Sequence, residues 1–153
     1  MQSEADAALS PSECRDLRHI AGIMIPANEE FGVPGADDAI IFADIVRSLG
    51  RDLDEVRAAL AELTAACGGG IAVVGTAQAE KVMGQFCARG DTVAAALNRA
   101  VLQCYYRDDR VLRSLGHEPR PPFPKGHTLE QGEWSLLEAV RHRPQLWRDD
   151  RTR

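Results

Sequence analysis

The sequence predicts an all-α fold: a single helical domain of about six helices, followed by an extended Pro-rich C-terminal arm. Three observations predict it. Apolar residues recur at three- and four-residue spacing in successive windows. Helix-start and helix-stop signals punctuate those windows at nearly regular intervals. The one short apolar run that could be a strand, Ile71–Gly75, has no partner strand elsewhere and reads as a buried connector.

Ser10-Pro11-Ser12-Glu13 opens the first helix as a capping box, with Pro11 at the first helical position. Leu17, Ile20 and Met24, with Ala21 and Ile23 beside them, supply its apolar stripe, and Pro26 stops it. The stretch from Pro26 to Gly35 contains Asn28, Gly32 and Pro34 and reads as a structured loop. A second helix is expected from Asp37 to Leu49 on the spacing of Ile41, Phe42, Ile45 and Leu49, with Gly50 as a left-handed cap. Asp52 and Glu55 read as another capping box, opening a third helix through Val56, Leu60, Leu63 and Cys67 that Gly68-Gly69-Gly70 ends.

Thr76 starts a fourth helix carrying Val82, Met83 and Phe86. Gly90-Asp91 separates it from a fifth, with Val93, Leu97, Val101, Leu102 and Tyr105 along one side. A short sixth runs from about Asp109 to Leu115 and is closed by Gly116. Pro119, Pro121, Pro122 and Pro124 then cannot continue a helix or pair in a sheet, so 117–126 is expected to be extended and polyproline-like. The last piece combines a short helix on Trp134, Leu137 and Val140 with an Arg-rich end. The expected organisation is a flexible N-terminus over 1–9, a helical domain over 10–116, and a Pro-rich arm with a Trp- and Arg-rich tail over 117–153.

Composition narrows the function. The 153 residues are 44% hydrophobic and 27% charged, an ordinary balance for a globular domain with a real core. A two-domain flavoprotein or a nucleotide-binding barrel needs more chain. Lys and Arg number 18 against 23 Asp and Glu, a net of −5, and no basic stripe stands ready for phosphates. Residues 1–100 hold 8 basic and 15 acidic groups, a net of −7, whereas 101–153 hold 10 and 8, a net of +2. No run approaches 18 apolar residues, and the first 12 residues lack a basic start and an apolar core, so the expected location is the cytoplasm.

No catalytic motif of the G-x-S-x-G, H-E-x-x-H or Walker type is present. Gly68, Gly70 and Gly75 follow a helix rather than a strand and lack dinucleotide-loop spacing. Cys14, Cys67, Cys87 and Cys104 are separated by 53, 20 and 17 residues, which fits no zinc or iron–sulfur pattern, and they read as reduced core thiols. His19, His117, His127 and His142 are scattered. Arg107, Asp108, Asp109 and Arg110 read as local surface ion pairs.

The arm is more informative. Of eight aromatic residues, five lie in its vicinity: Tyr105, Tyr106, Phe123, Trp134 and Trp147. Trp, Tyr and Arg are the residues that most often anchor protein interfaces, and prolines lower the entropy lost when a segment docks. A partner interface is therefore expected on Tyr105, Tyr106, Phe123, Trp134 and Trp147, with Arg120 and Arg148 as polar anchors. The competing reading has the arm folding back over its own helices.

Several stretches together resemble one family. The stretch Leu17-Arg18-His19-Ile20-Ala21-Gly22-Ile23-Met24-Ile25-Pro26 resembles the L-x-x-x-A-x-x-I-I-P opening of the gluconate 2-dehydrogenase subunit 3 family. Gly32-Val33-Pro34-Gly35-Ala36 resembles that family's loop before the second helix. Tyr105-Tyr106, Val111 and Leu115-Gly116-His117 resemble its Y-Y-x-x-x-x-V-x-x-x-L-G-Y stretch, with His117 in place of Tyr, and Trp147-Arg148 resembles its ending. The resemblance covers roughly residues 15–148.

It implies a small helical subunit of an FAD-dependent oxidoreductase of the glucose–methanol–choline type. The large subunit would bind FAD and oxidise a sugar, polyol or other alcohol. This chain would bind no cofactor or metal, carry no catalytic residue, and support folding, stability or export of its partner. Some such complexes add a cytochrome c subunit as electron acceptor. Many members carry a twin-arginine leader for periplasmic export; its absence here favours a cytoplasmic complex with another acceptor, such as oxygen. The alternative from a different class is a stand-alone small helical enzyme or metal protein using His and Cys.

Overall fold

The computed structural model describes residues 9–144, apart from 122, 127 and the side chain of Ala72. Among the described residues the chain is all-α, with seven helices and no strand beyond one isolated bridge. They are α1 (Pro11–Met24), α2 (Ala39–Ser48), α3 (Leu53–Ala66), α4 (Thr76–Ala88), α5 (Thr92–Tyr105), α6 (Asp109–Ser114) and α7 (Glu138–Arg141). None is long and apolar enough to cross a membrane.

Helix α1 begins with the capping box that its sequence carries. Ser10 Oγ accepts from the Glu13 backbone N–H at 3.3 Å, and Glu13 Oε2 accepts from Ser10 N–H at 2.7 Å. Two orphan donors of the first turn are thereby satisfied. Helix α2 starts two residues later than its periodicity predicts, because Asp38 is its cap: its Oδ1 accepts from Ile40 N–H at 3.0 Å and Ile41 N–H at 3.4 Å. Between α1 and α2, Asn28 and Val33 exchange two backbone hydrogen bonds of 3.0 Å, so the expected structured loop is a small hairpin.

Helix α3 departs from its expected start. A 3-10 turn over Gly50–Asp52 leads straight into it, and the Asp52 side chain makes no cap. The carboxylate is instead gripped by Arg99 of α5, Nε at 2.9 Å and Nη2 at 2.6 Å. With Asp52 committed to a pairing 47 residues away, the expected capping box does not form. Ile71–Val73 is a single 3-10 turn that buries Ile71 and leaves Val73 exposed, and the expected connector meets the core through Ile71 and the half-buried Val74.

Helix α5 is the axis of the core, packing against α2, α3 and α4. Asp91 caps it by accepting from Ala94 N–H at 2.9 Å. Its buried side chains Ala94, Leu97, Val101, Cys104 and Tyr105 meet Ile41 and Ile45 of α2 and Val56, Leu60 and Leu63 of α3 in one apolar cluster. Leu102, one position off that stripe, lies at the surface. Of the four free cysteines, Cys67 and Cys104 are buried, while Cys14 and Cys87 are half-buried. Burial pushes the Cys104 thiol up from its ordinary value, which keeps it protonated and inert.

The chain divides into two units, Met1–Pro119 and Arg120–Arg153. In the second, residues 123–125 form a turn, and a 3-10 turn over Trp134–Leu137 runs directly into α7. Every described residue from 128 to 144 is exposed. This unit has no buried core of its own among the described residues.

Candidate partner interface

The two adjacent tyrosines do different jobs. Tyr105 is 4% exposed and belongs to the core, whereas Tyr106 is 53% exposed. Their rings meet edge to face, with centroids 5.2 Å apart and planes at 88°. Tyr105 therefore supports Tyr106 and offers little exposed surface of its own. The α5 periodicity explains the split: Tyr105 continues the Leu97–Val101 stripe, and Tyr106 steps off it. Desolvation raises the Tyr105 phenol above its ordinary value and keeps it neutral.

Arg120, expected as a polar anchor, makes two contacts within its own segment. Its Nη2 donates to the Gly126 carbonyl at 2.6 Å and its Nη1 to that of Pro121 at 3.2 Å, closing a loop around the turn. Phe123 sits on that loop and is 85% exposed. Trp134 is 60% exposed, its indole N–H directed to Gln131 Oε1 at 3.4 Å. Trp147, Arg148 and His127 lie outside the described residues. Sequence reasoning about aromatics passed over Leu129 and Leu136, both exposed. Leu136 and Leu137 stand four and three residues before Val140, and all three are exposed.

The ion pairs near residue 108 include the expected local ones, Arg110 Nε to Asp108 Oδ1 at 3.0 Å and Arg113 Nη2 to Asp109 Oδ2 at 3.0 Å, but Arg107 and Arg110 also bond across a long sequence separation. Arg107 Nε reaches Asp44 Oδ2 on α2 at 2.5 Å, and its Nη2 meets Ser48 Oγ at 2.5 Å. Arg110 spans to Asp38, 72 residues away, with Nη2 at 2.7 Å from Oδ1. Hydrogen bonds from Arg107 hold the Asp44 carboxyl below the usual range, and those from Arg110 do the same for Asp38. Residues of these pairs line a groove of about 790 Å³ between α2 and the α5–α6 corner, together with Ile41, Ala43 and Cys104. The pairs tie Arg107 to Asp44 and Ser48 of α2 and Arg110 to its cap Asp38.

His19 borders an open pocket of about 370 Å³ with Asp37, Thr76 and Glu80. Among the described residues no group of three His, Cys, Asp or Glu side chains is arranged to hold a metal ion. Comparison of the chain with protein-family models, with curated proteins and with solved structures returns no match.

Proposed function

We propose that this chain is the non-catalytic small subunit of a heteromeric FAD-dependent oxidoreductase of the glucose–methanol–choline type. Its large partner would bind FAD and oxidise a sugar or other alcohol, and this chain would support the partner's folding, stability and assembly. One observation carries the reading: Phe123, Leu129, Trp134, Leu136, Leu137 and Val140 are all exposed within a short stretch whose described residues form no core of their own. Apolar groups concentrated this way mark an interaction surface, and rings at such positions carry much of the energy of docking. The stretches that resemble the subunit family supply the class of partner.

The mechanism is thermodynamic. A subunit that binds only the folded partner stabilises it by RT ln(1 + [L]/Kd), without taking part in its chemistry. The test is to recover the tagged chain from its host and record the absorbance of the eluate. A larger polypeptide carrying the yellow absorbance of oxidised flavin in fixed ratio to this chain is the expected result. A colourless chain recovered alone, or only with copies of itself, rejects the proposal.

A further inference from the structure

The loop between α1 and α2 is braced at its base, its middle and its tip. At the base, Ala36 N–H donates to the Ile25 carbonyl at 2.9 Å, and Gly35 is buried so tightly that a Cβ there would lie 2.9 Å from the Ala27 nitrogen. In the middle, Asn28 and Val33 exchange their backbone hydrogen bonds. At the tip, Asn28 Oδ1 accepts from Phe31 N–H at 3.0 Å, and Gly32 takes a left-handed φ of 61° that other residues rarely adopt. All this order presents one side chain. Phe31 stands 64% exposed and outside the core cluster.

Glu29 and Glu30 directly precede it, both exposed, and neither carboxylate has a hydrogen bond or ion pair among the described residues. A ring held in place by its own backbone loses little entropy on docking, and unpaired carboxylates around it select the sign of the surface it meets. The loop lies in the acidic part of the chain, where residues 1–100 carry a net of −7.

We infer that Phe31 is a second anchor, by which the helical unit docks into an apolar pocket ringed by Lys or Arg on the flavin-bearing subunit. The inference rests on the subunit reading above for the identity of the partner, and on the loop itself for the chemistry of the contact.

The experiment measures flavin retained per tagged chain after recovery from the host, for wild type, Phe31→Ala and the double variant Glu29→Lys with Glu30→Lys. Phe31→Ala should lower retained flavin about 10- to 100-fold, the range of an interface hot spot, with the melting temperature of the lone chain unchanged. The double variant should lower it about tenfold in dilute buffer, a loss that shrinks as salt screens the contact. Retention within twofold of wild type for both variants overturns the inference and leaves the subunit reading standing. Should Phe31→Ala also lower the melting temperature, the double variant decides: undiminished retention overturns the inference. A wild-type chain that retains no flavin removes both together.

Discussion

One guanidinium, that of Arg110, holds the capping carboxylates of two helices. Its Nη2 donates to Asp38 Oδ1 at 2.7 Å, at the start of α2, and its Nε donates to Asp108 Oδ1 at 3.0 Å, at the start of α6. Each aspartate meanwhile accepts from the backbone of its own helix. Replacing Arg110 with Ala should cost about 1–2 kcal/mol, the lower part of the range for charged hydrogen bonds, because solvent screens the pair. More than a third of the Arg110 side chain is exposed. Arg110→Lys should restore little of this, since a compact ammonium cannot span both carboxylates as a planar fork does. Thermal melts of the two variants check both statements.

The same contacts fix the response to acid. Hydrogen bonds from arginines hold Asp38, Asp44 and Asp108 below their ordinary value of 3.8. A carboxylate with a depressed native pKa stabilises the fold fully above its unfolded value and loses that contribution as pH falls through it. The melting temperature should thus stay level from neutral pH to about 5 and drop below about 4. The drop should be shallower in Arg110→Ala, where Asp38 and Asp108 lose their main partner. Melts across this range test the slope.

Two glycine-to-alanine changes should move stability in opposite directions. At Gly35 a Cβ would lie 2.4 Å from Asp37 Oδ1 as well as 2.9 Å from the Ala27 nitrogen, so Gly35→Ala should destabilise by about 1–3 kcal/mol through overpacking. Gly84 sits within α4 with nothing inside 4 Å of the same position, so Gly84→Ala should stabilise by about 0.5–1 kcal/mol through helix propensity. Urea denaturation of the two variants distinguishes them by sign.

Core and arm should separate cleanly by mutation. Leu97 is fully buried in α5, and Leu97→Ala should cost about 2–5 kcal/mol. Trp134→Ala and Leu137→Ala remove exposed side chains from the second unit and should leave the melting temperature of the lone chain within about 2 °C of wild type, as surface changes do. If Trp134 gripped its own helical unit, its removal would lower that temperature. Calorimetry on the three variants settles the assignment.

What the sequence made legible was whatever depends on neighbours within a turn or two. The Ser10–Glu13 box, the Asp91 region and the Leu97–Val101–Tyr105 stripe all act at helical spacing, and each appears where that spacing puts it. The failures have a common cause. Asp52 carries a good local capping signal, but Arg99 outbids the helix for its carboxylate from 47 residues away. Arg107 and Arg110 read as partners of the aspartates beside them, whereas Arg107 bonds Asp44 of α2 and Arg110 adds the α2 cap Asp38 to its local Asp108. No local pattern encodes such pairings. Phe31 was missed for a different reason: a lone aromatic in a turn reads as filler until the bracing around it is visible. Its available signal was an aromatic residue set between Asn28 and Gly32, both turn formers.

The most direct test of the subunit reading is to produce the flavin-bearing partner with and without this chain and compare its soluble yield, bound FAD and dehydrogenase activity. The account predicts a partner that is poorly folded and poor in flavin alone, and restored by co-production. A partner that folds, loads FAD and turns over fully by itself would contradict it.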